Sequence, residues 1–590
     1  MPERKLNLIL CWHMHQPDYR NQTTGEFTLP WTYLHAIKDY SDMAFHLETH
    51  PNARAVFNFV PVLLDQLEDY AGQFASGEMR DPLLALLGME NLNDVSPEQH
   101  QLVLDSCFRS DHSKMIEPYP PYKRLHDLYL FLQGRCEGEE AFTYLSGQYL
   151  SDLLTWYHLV WCGESVRRSH DLIVRLMSKG THFTFADRRQ LFELIGRIIA
   201  GLIPRYRALA QNGQIELSTT PHTHPIVPLL IDFQVARESL HGAALPITPR
   251  YPGGVRRAGA HIEAALTSHR ERFGMLPQGV WPAEGGVSHA AALMFAQNGL
   301  RWMASGEQVL VNSLRGLDNH GHVPERGSYL YRPYNLVFED REIACFFRDD
   351  RLSDMIGFEY AKWFGKDAVN HFIHALEEIW HHAPRDESPV VSVILDGENA
   401  WEYYPYNGFY FLSELYEALE RHPFIRSTTF GEYLNACTGH TEQQTELEFE
   451  PSPPSPIDCR AAGELDYLVA GSWVYGNFST WIGALEKNHA WDLLCSAKQS
   501  FDLVITGNSL SDEEKSLAFK QLAVCEGSDW FWWFGDYNPQ HSVESFDKLY
   551  RENLSNLYIA LKLPVPQELS HAISHGSGHP ESGGAMRRAS

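Results

Sequence analysis

Six short segments of this 590-residue chain set titratable or aromatic side chains beside residues that hold a backbone still. Trp12-His13-Met14-His15-Gln16-Pro17 follows an apolar run, residues 6–12, of strand length. Two histidines at the end of a buried strand can bind a metal, hydrogen-bond a polar ligand, or simply sit in a loop with local hydrogen bonds. Residues 213–229 (GQIELSTTPHTHPIVPL) place Glu216 inside an otherwise apolar strand and His222 and His224 in a Pro-flanked loop. A carboxylate in such a strand must be paired or protonated, and a salt bridge to an Arg is the plain structural reading. In residues 279–288 (GVWPAEGGVS), Glu284 sits between Pro282 and Gly285-Gly286, so its carboxylate is held on a tight backbone. Taken alone, a Glu capping the next helix reads slightly better. Residues 390–404 (VVSVILDGENAWEYY) end a buried strand in Asp396-Gly397-Glu398-Asn399. That is a good place for a general acid, or for a turn cap; Glu402 reads as a solvated helix face. Residues 472–483 (SWVYGNFSTWIG) and 527–537 (GSDWFWWFGDY) are rich in Trp, whose faces stack on sugars as well as on each other. Most of Trp530 to Phe534 is expected in a helical core.

These groups need strands to aim them. Runs of strand length recur at residues 6–12, 53–59, 214–218, 299–305 and 389–395. They are apolar without alternation and are separated by helical patterns, which predicts a parallel sheet with helices outside. Ligands of such folds gather at the C-terminal ends of the strands. Helical spacing marks residues 41–48, 188–209 with a kink at Pro204, 287–298 and 543–563. Residues 69–161 lack strands and predict a helical insertion, extending to about 210 with the next helix. The Pro/Ser stretch at 450–456 is the expected domain boundary, followed by a helical region to 566 and a disordered tail at 567–590.

Composition removes several function classes. Net charge is −27, which disfavours nucleic acid and anionic membranes as partners and leaves neutral substrates open. No apolar run approaches membrane-spanning length. Nine Cys without a CxxC pair predict reduced thiols rather than a disulfide framework or zinc ribbon. With no leader segment, a cytoplasmic location is expected. The sequence sets no oligomeric state.

Taken in order, His-x-His-Gln-Pro, the Glu216 strand, WPAEG, LDGEN and SW…NFSTWIG resemble glycoside hydrolase family 57, over residues 6 to about 563. Pro30-Trp31, Leu34-His35, Asp39-Tyr40 and Phe347-Arg348-Asp349 with Leu352-Ser353-Asp354 bring the α-amylase/amylopullulanase branch nearest. The resemblance implies an α/β fold, an incomplete (β/α)7 barrel over 1–450 followed by a mostly helical region over 457–566 that lends aromatic residues to the site. It implies retaining hydrolysis of α-glucans, with transfer or branching on the same site as the alternative. Glu284 would be the nucleophile and Asp396 the acid/base. His13, His15, Glu216 and His224 would bind the reacting sugar, with Trp281, Trp401 and Trp473 as stacking surfaces, and neither cofactor nor metal is implied. Two rival readings compete: a metal-dependent deacetylase using His13, His15 and an Asp, and a glucan-binding protein without catalysis. Against the first, no Asp ends the first strand, and His371 and His374 fall in a surface helix.

Overall fold

The computed structural model describes residues 4–134, 145–317, 320–438, 459–507, 509–578 and 588. In these, the strands are β1 (Leu6–Met14), β2 (Ala55–Phe59), β3 (Ile215–Thr219), β4 (Gly279–Val280), β5 (Trp302–Gly306), β6 (Tyr334–Val337), β7 (Glu342–Arg348), β8 (Val390–Asp396), β9 (Ile425–Ser427) and β10 (Gly463–Glu464). Seven of them, β1–β5, β7 and β8, are parallel. They close into a barrel where Arg348 of β7 pairs with Ser392 of β8. β6 is antiparallel to β7, with β10 beside it, and β9 extends the sheet next to β1.

All nine residues of β1 are buried because both of its faces are covered. Its alternate side chains divide cleanly. Leu6, Leu8, Leu10 and Trp12 join the large core between barrel and helices, while Ile9 and Cys11 join a smaller cluster with Val56, Trp302, Phe346 and Ile394 inside the barrel. Phe430 and Tyr433, on helix Phe430–Thr438, belong to the same interior cluster. Gly279 is required where β4 crosses Trp302, since a Cβ there would stand 2.0 Å from the indole.

Between β2 and β3 the described chain is helical from Pro61 to Gln211. Helix Phe185–Gln211 starts on a Thr184/Asp187 capping box and carries Pro204 inside it. The C-terminal helices are Leu485–Ile505, Asp512–Cys525, Asp529–Trp533 and Gln540–Ala560. Helix Gly254–Phe273 is tied to them by a buried cluster: Arg257, His261 and Tyr251 all hydrogen-bond the Glu526 carboxylate. Burial disfavours that carboxylate's charge, but its cationic partners prevail and hold its pKa down to about 2.

Three expectations change. Cys437 and Cys459 form a disulfide, because the helix at 430–438 returns beside residue 459, while the other six cysteines among the described residues are buried and free. Residues 567–578 are packed rather than disordered: Leu569 is buried and Ser574 Oγ donates to Glu486. β4, β6, β7, β9 and β10 join the five strands read from sequence. The boundary expected at 450–456 lies outside the described residues. No helix among them is long and apolar enough to cross a membrane.

Candidate active site

Parity along the strands builds the site. His13 lies in register with Asn58 of β2 on one side and Asp396 of β8 on the other. Each is two residues beyond an inward-facing position, so all three face the barrel axis at its C-terminal end. Arg348 ends β7 at the same face. A cavity of about 670 Å³ opens there, lined among others by His13, His15, His224, Trp281, Glu284, Arg348, Asp396, Glu398, Trp473 and Asp529.

Glu284 follows β4 in a left-handed conformation, φ 57° and ψ 29°. A residue with a side chain pays for that geometry only where its surroundings enforce it. Here Gly285 N–H donates to Pro282 O at 2.8 Å, and Ser472 Oγ and Trp473 N–H donate to Glu284 O. The carboxylate accepts from Ser528 Oγ at 3.3 Å and Trp473 Nε1 at 3.5 Å, and His224 Nδ1 lies 3.9 Å away. Burial first, then the negative charges of Asp529 and Asp396, push its pKa up to about 8. Burial also raises Asp396, against the pull of the Asn399 amide, which donates to it at 2.8 Å. Glu398 is raised too, by burial and then by Asp396.

The histidines form one group. His13 Nδ1 meets Asn58 Oδ1 at 2.7 Å and its Nε2 meets His224 Nε2 at 3.2 Å. Burial depresses His13 to about 3 and His224 well below the ordinary value, so both rings are neutral. His224 is left-handed, φ 62°, with its carbonyl and its ring both bonded to Ser528. His15 Nε2 pairs with Asp529 Oδ1 at 2.7 Å and its ring stacks on His224, centroids 3.9 Å apart.

His15, His224 and Asp529 bring potential ligand atoms within 4.8 Å of one another. However, rings stacked at 22° cannot both aim in-plane lone pairs at one ion, and His15 Nε2 is already engaged by Asp529. The group is better arranged to hydrogen-bond a polar ligand.

Two expected binding residues stand elsewhere. Glu216 is in register with Val56, one inward layer below Asn58 and Ser218, and does not line the cavity. Its carboxylate accepts from Trp302 Nε1 at 2.7 Å and Gly431 N–H at 2.8 Å, a fixture of the barrel floor. Trp401 is 1% exposed, packed on Trp12, Tyr404 and Phe411, with its N–H on Gly397 O. It supports the Asp396 loop from behind and offers no face to a ligand. Trp281 and Trp473 do line the cavity, and the Arg348 guanidinium lies 5.0 Å from the Trp473 ring centre. Glu402, read as a solvated face, lines the cavity and accepts from Asp111 N–H. His222 pairs with Asp65 outside it.

Sequence reasoning missed Ser528 and Asp529, which enter from the C-terminal helices two and three residues after the Glu526 cluster. An acid opening an otherwise aromatic run was the available signal. Trp532 and Trp533 also line the cavity, whereas Trp530, Phe531 and Phe534 are core as expected. Trp31 and Trp161 also border the cavity, with ring centres 5.8 Å apart.

The whole chain resembles several solved structures. A branching enzyme from Thermococcus kodakaraensis matches with a TM-score of 0.53 at 14% identity, over 94% of this chain and 90% of that one. A branching enzyme from Pyrococcus horikoshii gives 0.53 at 15% identity, over 96% of each chain. The α-amylase AmyC from Thermotoga maritima gives 0.50 at 15%, over 95% of this chain and 94% of that one. At such identity these likenesses establish the fold. No curated protein matches the chain by sequence. The family model described as glycosyl hydrolase family 57 matches residues 9–448. With the barrel closed and its cavity carrying paired acids, the chain belongs to glycosyl hydrolase family 57.

Proposed function

We propose that this protein cleaves glucosidic bonds of an α-glucan with retention of configuration, through a covalent glycosyl-enzyme intermediate. The observation that carries the reading is that Glu284 and Asp396, on separate strand ends, line one cavity together with Trp281 and Trp473. Glu284 attacks the anomeric carbon while Asp396 gives its proton to the leaving oxygen; Asp396 then takes a proton from the incoming water. Such chemistry needs one proton shared by two carboxyl groups near neutral pH. Burial, which raises both acids, and the negative charges of Asp529 and Asp396, which raise Glu284 further, favour that state. The donors on Glu284, Ser528 Oγ and Trp473 Nε1, favour its anion once Asp396 carries the proton. Neutral His13 and His224, with His15 oriented by Asp529, are suited to the hydroxyls of the reacting sugar.

Glucan transfer, as a 4-α-glucanotransferase or branching enzyme, is the second reading. It is favoured by Trp31, Trp532 and Trp533 in the cavity lining, whose ring faces can hold a second sugar chain where water would otherwise enter. Two of the proteins sharing this fold are branching enzymes and one is an α-amylase. Product analysis after incubation with maltoheptaose, amylopectin and pullulan tests both readings. Shorter oligosaccharides with new reducing ends indicate hydrolysis; longer or newly branched chains indicate transfer; unchanged substrates sink the proposal.

A further inference from the structure

Two segments leave the cavity wall and meet on the outer surface. From Trp161, in the wall, the chain enters helix Glu164–Ser169, which carries Arg168. From Glu402 and Tyr403, also in the wall, it passes through the turn Pro405–Gly408 into helix Phe409–Arg421. Where they meet, the Arg168 guanidinium lies 5.6, 4.6 and 4.9 Å from the ring centres of Tyr406, Phe409 and Tyr410, and donates to Tyr410 OH at 3.1 Å. Tyr406 and Tyr410 stand edge to face, centroids 5.4 Å apart, and are 58% and 46% exposed.

The turn is held in an unfavourable shape. Tyr406 and Asn407 are both left-handed, φ 54° and 53°, where a Cβ crowds the backbone. The hold comes from the buried side: Asn407 accepts from Lys38 Nζ at 2.9 Å and donates to Asp42 at 3.2 Å. Lys38 in turn lies 5.1 Å from the centre of the Trp161 ring. A turn held from its buried side thus exposes the Tyr406 and Tyr410 rings to solvent, edged by their hydroxyls and the N–H groups of Arg168.

We propose that Tyr406 and Tyr410 form a second glucan-binding platform, outside the catalytic cavity, for a distant part of the same polymer. The proposal rests on the α-glucan reading above. Flat rings edged by hydrogen-bonding groups suit the C–H faces and hydroxyls of sugars, and continuity with the cavity wall along both segments lets one polymer span both places.

The test compares Tyr406→Ala, Tyr410→Ala and the double variant with wild type on glycogen and on maltoheptaose. The expected result is a rise in KM for glycogen of roughly threefold to tenfold per ring. Both kcat and KM for maltoheptaose stay unchanged, and the Phe variants retain wild-type behaviour. Equal effects on both substrates, or none on glycogen, overturn the platform. Retardation in native gels containing glycogen, read on a Glu284→Gln background, reports binding without turnover and so separates this proposal from the catalytic one. The alanine variants must lose retardation there. Unaltered retardation, or loss of self-association in sedimentation with glycogen KM unmoved, shows instead that the rings do not bind glucan.

Discussion

Glu284→Gln should make the protein more stable while destroying its activity, and by an amount that grows with pH. The folded protein raises this carboxyl from 4.5 to about 8. Between those values it keeps a proton that the unfolded chain has already lost. Stability therefore falls as pH rises through that window and levels off above it. At about 1.4 kcal/mol per tenfold in proton affinity, the full cost approaches about 5 kcal/mol at pH 8 and above and vanishes below pH 4.5. Gln keeps an acceptor for Ser528 Oγ and Trp473 Nε1 and carries no charge to desolvate. Unfolding entropy for a chain of this length is on the order of 1.2 kcal/mol per degree, so the gain corresponds to a Tm rise of about 2–4 °C. Calorimetry of both proteins from pH 4.5 to 8.5 reads it directly. The two Tm curves should coincide at the acid end and diverge steadily with pH. A constant offset, or a variant that loses stability with pH as wild type does, would refute the burial argument for Glu284.

Asp396→Asn and Glu284→Gln should each lower kcat by at least about 10³-fold, and the double variant little more, since nucleophile and acid act as one unit; additive losses in steady-state kinetics would contradict the shared mechanism. Asp529→Asn removes a negative charge that raises Glu284, so the acid limb of the kcat/KM profile should move to lower pH; an unmoved limb would show that Asp529 does not act on the nucleophile. Trp473→Ala should raise KM or slow turnover with Tm little changed. Trp401→Ala should instead cost about 3–5 kcal/mol of stability by leaving a cavity behind the Asp396 loop; a destabilised Trp473 variant beside a stable Trp401 variant would reverse both assignments.

The sequence by itself marked five of the barrel's seven parallel strands and singled out Glu284 and Asp396 as candidate acids, while the seven-residue β7 escaped it. Apolar runs such as residues 6–12 and 389–395 can only be buried on both faces, and a Pro/Gly-locked Glu284 and a strand-ending Asp396 carry their meaning locally. The two-residue β4 was beyond reach, because pairing and not composition makes it a strand. What the tertiary structure decided were depth and partnership. Glu216 obeys the same local pattern as a site residue, yet register sets it one layer too low, and only the closed barrel reveals the layer. Trp401 and Trp473 are alike in sequence context, but packing on Trp12 turns one inward while the cavity keeps the other. Asp529 is more than 500 residues from His15, and no local spacing relates them. They meet because the Glu526 cluster fixes the C-terminal helices against helix Gly254–Phe273, a contact made by the fold and invisible in the chain.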